Sequence, residues 1–173
     1  MKKFKIICLL TLATFALSAC TIKKPPQNLA IKANGSFDPK SIGIKVESSL
    51  PKDAKLNIIF QNDDTKKIIY KTTIKTDEKG TVNKKIALDL RDKNLTGFVI
   101  FKPDEQPRNV QEKFGKYGEN IRSNAVGYTV GKKNNKKYMY IKQYGTFWKF
   151  GKLSSQGYII YSKEKLKQEK EGK

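Results

Sequence analysis

The 173-residue sequence contains no histidine. That removes the most common general base near neutral pH, the usual partner of a serine nucleophile and the commonest metal ligand. Cysteine is almost as scarce. Its two occurrences, Cys8 and Cys20, fall within the first twenty residues, so the chain beyond offers no thiol nucleophile, disulfide or cysteine-zinc site. Arginine is confined to Arg91, Arg108 and Arg122, although lysine and arginine together number 36 against 16 acidic residues. Lysine is a hydrated point charge without arginine's bidentate fork, so this cationic surface should attract polyanions broadly and discriminate weakly. EF-hand spacing, a P-loop and a dinucleotide fingerprint are all missing. The adjacent carboxylates Asp63-Asp64, Asp77-Glu78 and Asp104-Glu105 remain as acid–base or metal candidates. Neighbours in sequence point apart on a strand, and each pair sits beside lysines in a predicted turn, so all three read as solvated turn residues. The chain is expected to be no enzyme and to use no metal or cofactor.

What is present begins at the amino terminus. Met1-Lys2-Lys3-Phe4-Lys5 is basic, and the run from Ile6 to Leu17 is uncharged and apolar. At about a dozen residues this run is shorter than the ~20 needed to span a bilayer, but it suits the core of a signal peptide. No later stretch is apolar for long enough to cross a membrane. Leu17-Ser18-Ala19-Cys20 then resembles the lipobox of bacterial lipoproteins. The resemblance implies diacylglycerol on the sulfur of Cys20, with Leu17, Ser18 and Ala19 recognised by the peptidase that cuts before it. Such cleavage leaves one cysteine, and a lone free thiol on an exported protein invites oxidation, which lipidation avoids. One acyl chain holds a protein marginally and two hold it stably, so the expected location is the extracytoplasmic face of the cell membrane.

Removing 19 of 173 residues leaves 154, and losing three leader lysines lowers the formal charge from +20 to +17. Residues 20–40 are rich in turn formers, including Pro25-Pro26 and Asn34-Gly35, and read as the lipidated cysteine with a tether. Residues 162–173 alternate lysine with glutamate and read as a charged flexible tail. Between them, 41–161 is long enough for one domain. Period-two alternation marks strands at Ile42, Ile44 and Val46, at Leu56, Ile58 and Phe60, at Ile68 to Ile74, and at Ile86, Leu88 and Leu90. Gly97 to Phe101 is continuously apolar, as in a strand covered on both faces. Pro107 to Phe114 predicts a short helix with Val110 and Phe114 on one face and Gly115 as its cap. Three more strands are predicted at Tyr138–Ile141, Thr146–Phe150 and Gly157–Tyr161, with Asn134-Asn135 as a turn.

The fold expected is mainly β, an Ig-like antiparallel β-sandwich with one short embedded helix; the alternative is an α+β sheet packed on a helix. The general pattern resembles small Ig-like lipoproteins of Gram-positive bacteria. Thirteen of the eighteen aromatic residues fall between Phe98 and Tyr161, interleaved with lysine. Basic residues alternating with rings suit stacking on sugars or bases, although strands also use aromatics in their core. The candidate binding face is Tyr140, Tyr144 and Trp148 with Lys142 and Lys149. Export removes ribosomes and genomic DNA as partners, so the expected role is non-enzymatic binding or assembly in the envelope. Its partner would be another envelope protein or an anionic polymer. Nucleic-acid handling at the surface, as in conjugation or DNA uptake, is one alternative. The other concerns the leader, where Leu12 to Ala19 has the character of peptides trimmed into mating pheromones.

Overall fold

The computed structural model describes residues 24–38, 40–88, 94–147 and 158–159. The leader, Cys20, most of the chain after Phe147 and the tail from 162 lie outside them. The described chain is mainly β. Its strands are β1 (Ile31–Asp38), β2 (Ser41–Ser48), β3 (Lys55–Asn62), β4 (Ile68–Lys75), β5 (Thr81–Ala87), β6 (Leu95–Phe101), β7 (Tyr128–Lys133), β8 (Lys136–Phe147) and β9 (Tyr158–Ile159). They form two antiparallel sheets, one ordered β5-β2-β1-β9 and the other β4-β3-β6-β8-β7. Between β6 and β7 come a 3-10 turn, Pro103–Glu105, and the one described helix, α1 (Arg108–Phe114).

Alternation decides which side chains are covered. On β2, Ile42, Ile44 and Val46 are buried, while Gly43, Lys45 and Glu47 take the opposite face. Leu56, Ile58 and Phe60 of β3, with Leu95, Val99 and Phe101 of β6, supply the facing layer of the same apolar cluster. Leu50, Ala54 and the helix residues Val110 and Phe114 belong to that cluster too. Phe101 and Phe114 meet edge to face with centroids 5.5 Å apart, which fastens the helix to β6. A helix of seven residues is too short to persist alone, so this docking is what keeps it folded. The Gly115 N–H donates to the Gln111 carbonyl and closes its last turn.

Three expectations about the elements need correction. The tether assigned to residues 20–40 ends early, because Ile31–Asp38 is β1, paired with β2 along its length. Asn34-Gly35 is no turn; both residues sit inside β1, opposite Lys45 and Ile44 on one side and Ile159 and Tyr158 on the other. Ladder bonds on both edges outweigh a local turn preference, and Ile31 and Ala33 supply the apolar alternation that turn chemistry concealed. The strand expected at Tyr138–Ile141 and the start of the one expected at Thr146–Phe150 are one twelve-residue strand, β8, running through Gly145 to Phe147, while 148–150 lie outside the described residues. β7 has no counterpart in the sequence reading: Gly131 interrupts it, and Val130 on its core-facing side is 51% exposed. The Asn134-Asn135 turn is where the sequence puts it. Both residues have positive φ, 50° and 59°, as the two-residue hairpin between right-twisted strands requires.

Candidate functional site

Twelve residues of β8 cross the five-stranded sheet next to its edge, and their alternation builds the candidate face. Ile141 and Gln143 point into the molecule and are each 1% exposed. Tyr138, Tyr140, Lys142 and Tyr144 therefore point outward in one line. Cross-strand pairing sets Phe98 of β6 opposite Tyr144 and Ile100 opposite Lys142, and on the far side Thr129 of β7 opposite Tyr140. Phe98 and Tyr144 lie 6.3 Å apart between centroids, and the Lys142 ammonium sits 4.6 Å over the Phe98 ring. Tyr138 and Tyr140 stack at 5.5 Å. Tyr138 is itself buried, at 7% exposure, so the outward face presents the Phe98–Tyr144 ring pair with an ammonium beside it and the half-buried Tyr140, an arrangement suited to flat or polar-ringed ligands. Burial raises the Tyr144 phenol above its ordinary value, and its hydroxyl, protonated at neutral pH as any tyrosine's is, can donate.

One end of this face is closed by the 3-10 turn. Asp104, read from the sequence as solvated, has a side chain only 13% exposed. It accepts from the Tyr138 hydroxyl and from Lys133 of β7. Burial pushes its carboxyl up, but these two donors outweigh burial and hold it below the ordinary carboxylate value. Burial, reinforced by the Asp104 charge, raises the Tyr138 phenol. Glu105 is fixed in the same manner: burial acts upward, while Lys102 and Asn57, each at 2.8 Å, bring it below its usual value. Gln106 completes the fastening, accepting from the Lys55 N–H at 2.7 Å and donating to its carbonyl at 2.9 Å. Asp104-Glu105 is a docking device for the loop that carries the helix. A carboxylate already saturated with donors makes a poor base or metal ligand.

Asp104 gives a pH signature. Its folded value lies below its unfolded one, so its contribution is complete above the ordinary carboxylate range and is lost as pH falls through the folded value. Thermal melts should show the wild type losing stability on acidification below about pH 4, with a weaker acid dependence in Asp104→Asn. Identical acid profiles for the two proteins would mean that Asp104 is not held as described.

The other carboxylate pairs are turn residues, as read. Asp77 accepts from the N–H groups of Lys79 and Thr81 and from the Thr81 hydroxyl, which lowers its carboxyl value. Asp63 accepts from Thr96. Among the described residues no three of histidine, cysteine, aspartate and glutamate are grouped to hold a metal, and no helix is long and apolar enough to cross a membrane.

Of the residues picked from the sequence, Tyr140, Lys142 and Tyr144 come together on one outward face. Trp148 and Lys149 lie outside the described residues, as do Leu17, Ser18, Ala19 and Cys20. Phe98 and Tyr138 lie outside the face expected from the sequence, and Asp104, a candidate carboxylate read there as a solvated turn residue, is instead held by Tyr138 and Lys133. Phe98 belongs to the apolar run taken as covered on both sides, yet its side chain is half-buried. The register to Tyr144 that brings it into the face is a long-range property with no local signal. No protein-family model, curated protein or solved structure matches the chain.

Proposed function

We propose that the chain is a lipid-anchored binding or assembly protein of a Gram-positive cell envelope, held at the extracytoplasmic face through diacylglycerol on Cys20. Its outward β8 face meets another envelope protein or an anionic polymer. The anchor rests on the basic start, the apolar run and Leu17-Ser18-Ala19-Cys20. The observation that carries the binding role is the shared outward face of Tyr140, Lys142, Tyr144 and Phe98, only part-covered by their own strands. An Ig-like domain is the finer reading of the fold. In its support, β1, β2 and β5 lie together in one sheet, and β3, β4, β6 and β8 in the other, so the chain crosses between layers in Greek-key succession.

No catalytic step is part of the proposal. Ring faces supply apolar contact, Lys142 a charge, and the Tyr144 hydroxyl a donor. The test is cross-linking on intact cells with wild type and with a Tyr140→Ala, Tyr144→Ala double variant. The wild type is expected to yield a defined envelope complex or polymer adduct, and the variant to lose most of it while keeping its melting temperature within a few degrees. Equal cross-linking by the two proteins would remove this face from the account. If the ligand is single-stranded nucleic acid at the surface, the alternative that the same ring-and-lysine face favours, affinity must fall steeply with salt as counterions are released.

A further inference from the structure

The hairpin joining β7 to β8 contains an apparent conflict. Its four lysines face each other as cross-strand pairs, Lys132 with Lys137 and Lys133 with Lys136. Like charges directly opposite on antiparallel strands weaken the pairing. Two of the four are compensated: Lys133 by Asp104, and Lys136 by the face of Tyr117, 5.3 Å below it. Lys132 and Lys137 are exposed and have no ion-pair partner among the described residues. The turn between them is well specified, so the repulsion is held in place. A local rule broken without compensation among the described residues points to a partner outside them.

The position of this hairpin says what that is. The loop after α1 touches the hairpin on one side, where the Met139 N–H donates to the Tyr117 carbonyl at 2.8 Å. On its other side the same loop receives the incoming chain: the Gln27 N–H donates to the Asn120 carbonyl at 2.6 Å, and the Arg122 N–H to that of Gln27 at 3.1 Å. Lys24 reaches the Glu112 carbonyl at 2.8 Å. The chain therefore enters the domain at the end that carries the hairpin, with exposed Lys113 and Lys116 close by in sequence to Tyr117. Two acidic groups described here are already engaged, Glu112 by Arg108 at 2.9 Å and Glu119 by the Tyr117 N–H at 2.8 Å. Cys20 precedes Lys24 by four residues, a span of about 14 Å at full extension.

We propose that this lysine-bearing end, from Lys24 through Lys116 to the Lys132–Lys137 hairpin, docks on anionic lipid headgroups and fixes the orientation of the domain on its own membrane. The proposal rests on the lipid at Cys20, which would bring this end into the range of the surface potential. Clustered lysines near an anionic bilayer add to an acyl anchor, and the attraction decays over about 8–10 Å at physiological salt. The β8 outward face is thereby kept for the partner.

The test uses protein purified from cell membranes and reconstituted in vesicles of phosphatidylcholine, with and without phosphatidylglycerol. Lysine acetylation is read by mass spectrometry, and the amino-terminal peptide is weighed in the same digest. With phosphatidylglycerol, labelling of Lys116, Lys132 and Lys137 should fall about threefold or more, Lys32 and Lys84 should not change, and high salt should restore labelling. A Lys132→Ala, Lys137→Ala variant should lose the protection at Lys116 yet melt at a higher temperature, because a repulsive pair is gone. Equal labelling in both vesicles overturns the docking, as does protection that appears only when soluble polyphosphate is added. A lipid-bearing amino-terminal peptide without protection removes the docking alone. A peptide without diacylglycerol removes the anchor, and the docking falls with it.

Discussion

Phe101→Ala is expected to cost about 3–5 kcal/mol, the range for truncating a fully buried phenylalanine. Phe101 is 0% exposed and lies on the inward side of β6, in edge contact with Phe114. Its removal leaves a cavity where the sheet meets α1, and the helix has little else: Val110 and Phe114 are its buried side chains. A domain of this size is stable by only about 5–15 kcal/mol, so the loss is a large share of the whole. In urea, where m is about 1–3 kcal/mol per M for small proteins, the midpoint should move down by more than about 1 M. Phe98, three positions earlier and outward, is half-buried, and Phe98→Ala should cost clearly less. Equal losses at the two positions would contradict the layering, because the layering is what separates a core ring from a surface ring on the same strand.

The contrast between those two rings also shows what local sequence can convey. β2 and β3 are legible because one side of each faces the core and the other does not, so apolar and polar residues alternate. The helix is legible from Val110 and Phe114 four residues apart and Gly115 after them. β6 is harder. A run such as Gly97 to Phe101 carries no alternation, and only its pairing to β3 and β8 sets Phe98 outward and Phe101 inward. β1 was concealed by Asn34-Gly35, where pairing with two neighbours overrides turn preference. β5 keeps Val82 and Ile86 covered but has Lys84 on the same side, which obscures its start. The face on β8 was partly legible, since Tyr140, Lys142 and Tyr144 alternate. Asp104 was not. Its burial depends on Lys133 and Tyr138, 29 and 34 residues away, and no spacing rule connects them.

Placement is the central chemical claim. With no histidine and no cysteine beyond residue 20, Cys20 is the residue for which we propose a covalent role. A diacylglyceryl group adds two acyl chains. At roughly 0.8 kcal/mol per buried methylene, two chains hold a protein on a bilayer where one barely does. Alanine at this position has no sulfur to alkylate, and the cut that depends on the lipid should fail with it. The expected effect of Cys20→Ala is therefore a change of compartment or of length and not a change in folding, because residues 24–147 supply both layers of the core.

The measurement is fractionation of cells producing wild type or Cys20→Ala, followed by the mass of the amino-terminal peptide from each fraction. The wild type should be in the membrane fraction, beginning at Cys20 and heavier by a diacylglyceryl group. The variant should be released, or should persist as a precursor that still carries residues 1–19. A Cys20→Ala protein that is processed as before and remains membrane-bound would contradict the account.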